Sequence, residues 1–472
     1  MEEKELKKNR GRQASRYYNH QIADAFCNAE MFARCLVYFV NYDSFFIYTD
    51  NKYYKKLSQR EFDKIILRFC EVNFPSQGYT KQILRDVIEI IKMKVLREAE
   101  QEDSYYIAFN DCLFNTRTFE QETPDISKLV THYIPYNFEE TKADCPEFKN
   151  FLKTSLTLRG QKDVPDQELI NLVQEMMGFY LLDTSYATGA FFLYGAGSNG
   201  KGILSDVIRD MIGADYCSAL SLSQLSQQFE IVSLINKRVN ISAEEDEKFA
   251  SSKIFKAVVT GDYLHGRHIY GSGFDFKPKC KFLYSTNKLP TFDGLDYGLK
   301  RRIFIIPFWR RFLPHEQDKM LKEKLARELP AIIGFAIEGA KRLTENDFVF
   351  SKSSASGDVF KEFEEEMSSA LMFFNETYVL DNEHIIPKNV VYDNYVSWMD
   401  KNHKRGVLSK RRFFKELEDN MSELLEKRTR YNGVVQRCYV IRMIEDDDEE
   451  EQQPMLSLEE AAELNENLKV LL

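Results

Sequence analysis

No stretch of this chain of 472 residues approaches the ~20 consecutive apolar residues that a helix needs to cross a bilayer. The longest apolar runs, such as Ala331 to Ile337, are far shorter, and the opening Met-Glu-Glu-Lys-Glu has no apolar signal core. Nothing marks the chain for a membrane or for export. Its eight cysteines stand at least eight positions apart, so no Cys-x-x-Cys pair is available for zinc or redox work. The seven histidines are equally scattered, without a His-Glu-x-x-His, so no zinc centre is expected. Reduced thiols in a cytoplasmic protein fit best. No internal repeat is visible. What remains is a globular balance of 43% hydrophobic and 29% charged residues, in a length that suits about three domains.

The formal charge of −10 argues against a nucleic-acid partner only until it is located. Residues 445–472 hold 11 acidic residues and one lysine, so the preceding 444 residues are neutral. The run Glu445 to Glu451 repels itself and is expected to stay unfolded, with an amphipathic helix beyond it from Leu456 to Leu472. This tail reads as a solubilising segment, a partner-binding one, or a competitor for basic surface.

Periodicity divides the rest. Residues 1–165 are expected to form a mainly helical N-terminal domain, with helical patterns at Phe62–Phe69 and Ile83–Val95, a small hairpin around Phe45–Tyr48, and short strands between 104 and 138. A helix over 148–156 follows, then an amphipathic one marked by Leu169, Leu172, Val173, Met176 and Tyr180. Residues 166–350 form the expected α/β core with a central parallel sheet, ending in a helical segment from Gln317 to Leu343. Ser351 to Gly357 reads as a mobile connector within a linker over 351–380, and 381–444 as a smaller C-terminal domain.

The chemistry concentrates in the core. Phe191 to Gly202 reads as a buried strand, then Gly195-Ala196-Gly197-Ser198-Asn199-Gly200-Lys201-Gly202, then a helix over Ile203–Ile212. Glycines let such a loop curl its N–H groups toward phosphates at a helix start, while Lys201 supplies a charge at the terminal phosphate. A nucleotide is the expected ligand. Gly202 stands where a Ser or Thr hydroxyl usually holds Mg²⁺, so the ion is expected to rest on carboxylates and water. Such carboxylates, Glu244 and Glu245, follow the strand Arg238 to Ala243. Asn287 ends the strand Cys280 to Thr286, where an amide can orient the attacking water. Arg301 and Arg302 precede the strand Ile303–Phe308, and an arginine given to a neighbouring copy would stabilise transition-state charge. Between these lie a helix with Lys256, Thr260 and Asp262, and a hairpin with Arg267, His268 and Tyr270, a mix of cations and rings suited to a nucleic-acid strand.

In this order, GAGSNGKG, VNISAEEDE, KAVVTGD with HGRHIY, KCKFLYSTNKLP and KRRIFIIPF resemble the superfamily 3 helicase core of the phage/plasmid primase-helicase family, which includes the poxvirus helicase-primase. The resemblance covers about 185–312 strongly, and 30–180 is similar to the helical domain preceding that core. It implies an AAA+-like ATPase assembled as a hexamer, a replication initiator of a mobile genetic element. By it Lys201 is the Walker A lysine, Glu244 and Glu245 the Walker B acids, Asn287 the sensor, and Arg301 or Arg302 the finger. Lys256, Thr260, Asp262 and Arg267 would match the family's extra motif, whose hairpin, here around Arg267 and His268, projects into the pore of the ring. The first 180 residues contain no Asp-x-Asp pair, so a separate primase or host replication proteins are expected as partners.

Residues 389–399 and 409–417 read as helices and 433–444 as a strand pair, an order that fits a winged helix. The segment 401–444 carries 12 basic and five acidic residues, enough for a face that contacts duplex DNA through Lys410, Arg411 and Arg412. The combined expectation is a motor that uses ATP and Mg²⁺ to move along single-stranded DNA while a basic domain grips double-stranded DNA. The alternative is an ATP-dependent switch that assembles on DNA and recruits other proteins without unwinding.

Overall fold

The computed structural model describes residues 18–30, 32–75, 79–98, 102–183, 186–243, 251–267, 273–292, 295–402, 406–421 and 423–444. Glu244, Glu245, His268 and the acidic tail lie outside them. The chain divides into two compact units between Phe360 and Lys361. No described helix is long and apolar enough to cross a membrane.

The first unit opens with helix α1 (18–28) and strands β1 (Leu36–Phe39), β2 (Ser44–Tyr48) and β3 (Tyr54–Lys56). Helices α2 (Gln59–Asn73) and α3 (Lys81–Lys94) follow, then β4 (Leu96–Arg97). Ser58 and Glu61 form a reciprocal cap on α2, so that helix starts where its sequence signals it. The strands form one sheet in the order β3-β2-β1-β4. A second sheet joins β5 (Tyr106–Ala108), β6 (Leu113–Asn115) and β7 (Gln121–Glu122). The N-terminal part is therefore mixed rather than mainly helical. Strands of two to four residues such as β1 and β4 carry too few positions to display a period of two.

Next come α4 (Pro146–Ser155), the hairpin β8 (Thr157–Leu158) and β9 (Gln161–Pro165), and α5 (Gln167–Leu181). They lead into β10 (Ala190–Tyr194), α6 (Lys201–Ile212), β11 (Cys217–Ser218), β12 (Val239–Ser242) and α7 (Ser252–Thr260). The hairpin β13 (Leu264–Arg267) and β14 (Gly273–Phe276) precedes β15 (Lys281–Thr286), α8 (Tyr297–Lys300) and β16 (Ile303–Pro307). Strands β11-β12-β15-β10-β16 make a five-stranded, wholly parallel sheet. Ala190 to Leu193 are buried on both faces, which is why a continuous apolar run rather than an alternating one marks the centre.

One hydrophobic cluster runs from Ile107 through α4, α5 and the sheet to Phe350, so α4 and α5 share a core even though β9 between them is exposed. The expected helix over Gln317–Leu343 is two helices, α9 (Leu321–Arg327) and α10 (Leu329–Glu345), because Pro330 starts a new helix at its first turn. Glu328 at the break accepts from the N–H groups of Glu147 (3.1 Å) and Phe148 (2.9 Å), capping α4 from a distant part of the chain.

Helices α5 and α10 cross where neither has a side chain. A Cβ on Gly178 would lie 2.2 Å from the Ala340 nitrogen, and one on Gly339 would lie 2.0 Å from the Gln174 carbonyl oxygen. Beside the crossing, Glu175 is fully buried and accepts from Arg342 Nε at 2.7 Å, Ser351 N at 2.7 Å and Ser351 Oγ at 2.6 Å. The stretch 351–357 is thus not a mobile connector. Ser354 N donates to Glu168 (2.8 Å), Ser356 Oγ donates to the Ile305 carbonyl (2.6 Å), and α11 (Ser354–Met367) starts there. Ser351 and Ser356 satisfy polar groups of the core, while Ser354 is exposed.

The second unit contains α12 (Ser369–Thr377), β17 (Tyr378–Leu380), β18 (Ile386–Pro387), α13 (Lys388–Lys401), α14 (Lys410–Asn420), β19 (Glu426–Tyr431), β20 (Val434–Tyr439) and β21 (Ile441–Met443). Its core is aromatic, with Tyr395 and Phe413 rings 4.4 Å apart. The strand pair is longer than expected from Gly433–Ile444, since β19 pairs along β20 through a two-residue turn. That turn is Asn432-Gly433, with φ of 48° and 84°, the left-handed geometry Asn-Gly supplies to tight hairpins.

The glycine crossing yields a test. Gly178→Ala and Gly339→Ala each drive a methyl into backbone, so each should cost more than the ~1–3 kcal/mol of ordinary overpacking. Thermal unfolding followed by circular dichroism should show a lowered midpoint for both. Gly357→Ala, whose Cβ would meet nothing within 4 Å, should leave it unchanged or raised.

Candidate functional site

Three neighbouring strand tips form the site. Tyr194 of β10 is level with Thr286 of β15 on one side and Pro307 of β16 on the other. Gly195 N donates to the Thr286 carbonyl (3.3 Å) and Phe308 N to the Tyr194 carbonyl (2.8 Å), so the ladder runs into the loop that follows. In open parallel sheets this carboxyl edge is where ligands sit.

Residues 195–200 turn from β10 into α6. Gly195 has φ of 146° and its Cβ would meet the Phe308 carbonyl oxygen at 2.5 Å. Gly200 has φ of 98°, with the Ser155 hydroxyl 2.8 Å and the Phe151 ring 3.1 Å from its Cβ position. Only glycine fits at these two places. Ser198 also adopts φ of 62°, and its carbonyl accepts from Phe312 N at 2.8 Å. Asn199 is 3% exposed and its Oδ1 accepts from Lys201 N at 3.4 Å. Around Ala196, Gly197 and Gly202 the loop is less constrained; Cβ atoms at Gly197 and Gly202 would meet nothing within 4 Å. Space for a hydroxyl at Gly202 therefore exists but is not used.

Lys201 is 6% exposed and donates to the Gly195 carbonyl and to Asn287 Oδ1 at 3.0 Å. The lysine and the asparagine of two distant motifs thus meet. Burial pushes the Lys201 ammonium down to about 8. β12 ends at Ser242, level with Tyr284, so the chain leaves toward the same edge just before Glu244 and Glu245. Among the described residues no group of three His, Cys, Asp or Glu could hold a metal ion.

Arg301 and Arg302 lie at the other edge of this sheet. Ala190 N donates to the Arg302 carbonyl (2.8 Å), which places both before the start of β16, roughly 16 Å from the loop for a five-residue strand. Arg302 is 8% exposed, donating through Nε to Thr260 Oγ1 (3.0 Å) and through Nη1 to the Gly298 carbonyl. Arg301 is exposed. Lys256 is held by Asp296 at 2.5 Å, and Asp296 in turn caps α8 through Leu299 N (2.8 Å). Asp296 and Gly298 carry no motif signal; the one hint was an Asp three residues before Leu299, a common capping spacing.

Arg267 ends β13, and its N–H donates to the Gln228 carbonyl (3.0 Å); residues 268–272 lie outside the described residues. In the second unit, Lys410, Arg411 and Arg412 are exposed at the start of α14. Lys410 sits 5.5 Å from the Tyr392 ring and Arg412 pairs with Glu416 at 3.2 Å. A cavity of about 500 Å³ lies away from the loop, at the amino ends of β12 and β15, beside Arg238, Lys279 and Lys281. Its cations are spent internally: Lys281 donates to the Phe179 and Leu182 carbonyls, ending α5, and Lys279 faces Glu102 (3.7 Å) and Asp183 (3.9 Å).

Residues 38–156 match a family described as D5 N terminal like, 365–450 one described as Poxvirus D5 protein-like, and 193–302 a family of unknown function (DUF5906). A helicase-named protein of Acanthamoeba polyphaga mimivirus is 28% identical over 241 residues, 48% of this chain and 24% of that protein. A helicase-named protein of Invertebrate iridescent virus 3 is 22% identical over 389 residues, 74% of this chain and 39% of that protein. The chain thus spans well under half the length of these curated relatives. A structure of the NrS-1 C-terminal region is 14% identical with a TM-score of 0.45, covering 86% of this chain and 96% of that one. Segments on both sides of the parallel-sheet core thus resemble D5-type proteins, 38–156 before it and 365–450 after it.

If this loop binds a phosphate, its buried lysine makes that binding pH-dependent. Below about 8 the free loop presents an ammonium; above it an amine that must gain a proton before it pairs with a phosphate. Affinity for ATP is therefore expected to fall as pH rises through about 8, with proton uptake on binding. Calorimetric titration in buffers of differing ionisation enthalpy checks both.

Proposed function

We propose that this chain is the ATP-hydrolysing motor of a replication helicase. In this reading residues 195–202 are a P-loop, the surrounding core is of AAA+ type, and the active assembly is a ring of six copies. The observation that carries it is the separation within one sheet: Lys201 and Asn287 meet at the carboxyl edge, while Arg301 lies exposed at the amino edge, out of reach of its own loop. An arginine so placed serves the phosphate of a neighbouring copy, and the site is complete only between subunits.

Lys201 then releases Asn287 and the Gly195 carbonyl to pair with the terminal phosphate, and Asn287 turns its amide to the attacking water. Mg²⁺ would rest on Glu244 or Glu245 and on nucleotide oxygens, in keeping with an ion that seldom has a full protein cage. When bound it neutralises charge on the phosphates. Of the two arginines, Arg301 is the finger. Arg302 is a positioning residue, locked to Thr260 at the end of α7. Because α7 leads directly into the β13–β14 hairpin, a push on Arg301 reaches the hairpin around Arg267 and His268, which would engage a single DNA strand. The second unit, with α13, α14 and the β18-β20-β19 sheet, is read as a winged helix whose Lys410, Arg411 and Arg412 contact duplex DNA.

Lys201→Ala should abolish ATP hydrolysis while leaving DNA binding by residues 361–472 intact in the full chain; retained hydrolysis would refute the P-loop reading. Forked-duplex strand displacement with ATP should separate strands, whereas a recruiting switch would hydrolyse ATP on DNA and separate none.

Arg301→Ala should lower turnover by about 10³-fold without weakening the fold, and Arg302→Ala should also lower the unfolding midpoint. Mixing the Lys201→Ala and Arg301→Ala chains should restore part of the activity that each lacks, because intact sites form where an unaltered loop meets an unaltered arginine. No recovery on mixing would rule out a site shared between copies.

A further inference from the structure

Buried side-chain polar atoms of Ser155, Thr157, Asn199, Ser205, Trp309 and Arg310 have no hydrogen-bond partner within the described residues of the chain. These residues lie on segments packed around the loop 195–201. A buried polar group left unpaired costs about 1–3 kcal/mol, so their concentration here points to partners from outside the chain. Ser155, Thr157 and Asn199 are 0%, 1% and 3% exposed.

The strand order assigns these groups a side. β15 lies on one flank of β10 and carries Asn287 at its tip; β16 lies on the other flank and leads into Phe308 and Trp309. If the terminal phosphate sits against Lys201 and Asn287, the nucleoside end of the ligand extends toward the opposite flank. That flank is built. Phe312 N donates to the Ser198 carbonyl (2.8 Å), the Ser155 hydroxyl packs against Gly200, and the β8–β9 turn reaches across to the segment after β16. There Arg159 lies 4.7 Å from the centre of the Trp309 ring, and Arg310 Nη1 donates to the Lys162 carbonyl (3.2 Å). An indole face beneath a guanidinium plane is an arrangement that accepts a heteroaromatic base by stacking and cation–π attraction.

We propose that Arg159 and Trp309 form the base-binding subsite of this loop, the purine of ATP packing beside the guanidinium–indole pair. The proposal rests on the loop being a nucleotide site and adds to it the residues that distinguish a nucleotide from a bare triphosphate. Neither residue lies in a recognisable motif. Both come from the segments that flank the core, one ahead of β10 and one behind β16.

The chain has two tryptophans, so Trp398→Phe in the second unit leaves Trp309 as the sole indole reporter in an otherwise intact chain. ATP and inorganic tripolyphosphate are titrated by fluorescence and by calorimetry. In the Trp398→Phe chain, ATP should change Trp309 emission saturably, and tripolyphosphate should bind in competition with it. Arg159→Ala, at an exposed position, and Trp309→Leu should each weaken ATP about tenfold and leave tripolyphosphate affinity unchanged. If both variants weaken the two ligands equally, or neither ligand at all, the subsite is overturned while the loop's role stands. If the unaltered chain binds neither ATP nor tripolyphosphate, the nucleotide reading of the loop falls and the subsite falls with it. Should Trp309→Leu fail to fold, Arg159→Ala and the emission change decide the question.

Discussion

The backbone ladder that holds β10 level with β15 and β16 is the constraint from which the candidate site follows. It places the ends of three strands in one line, so that the loop after β10 meets Asn287 on one side and Phe308 on the other. A slip of one residue would turn every side chain to the opposite face and remove Asn287 from the reach of Lys201. The strict need for glycine at 195 has the same origin, because the Phe308 carbonyl comes too close for any Cβ. Side chains finish the arrangement, but main-chain hydrogen bonds locate it.

At the other edge of the sheet, charge is used mostly for bracing. Lys256, Asp296, Arg302 and Thr260 form a connected set that joins α7 to the turn before β16. Counted as basic residues, Lys256 and Arg302 suggest contact with a polyanion; in the folded chain their donors are engaged within the protein. Arg301 remains exposed at the same turn. Pairing of this kind at a partly exposed site contributes modestly to stability, yet it sets which cation faces outward.

Much of the core was legible in the amino-acid sequence, for physical reasons that differ by element. The run Ala190–Tyr194 announced a strand buried on both faces, the loop 195–202 carried its glycines at the needed places, and the spacing of Leu169, Val173, Met176 and Tyr180 marked one face of α5. Asn287 was readable as the end of an apolar strand. Which of Arg301 and Arg302 is buried was not, since adjacent residues of one type differ only in what the fold packs over them. The β2–β3 hairpin was readable around Phe45–Tyr48, but β1 and β4 of the same sheet escaped because they are too short to show a period. The serines at 351–357 looked like a linker by composition, while their actual partners, Glu175, Glu168 and the Ile305 carbonyl, lie far away in sequence. Arg159 and Trp309 had no local signal at all; only the packing of two separate segments against one loop brings them together.

The cap that Glu328 places on α4 has a bearing on how the chain acquires its structure. The first turn of α4 depends on a carboxylate that leaves the ribosome about 180 residues later, and the Glu175 carboxylate waits as long for Arg342 and Ser351. At ~5–20 residues per second, the early half of this unit spends on the order of ten seconds or more with those groups unmet. During that interval the apolar faces of α4 and α5 are open to chaperones, and a stop in translation before residue 350 would leave a nascent chain whose central layer has no lid.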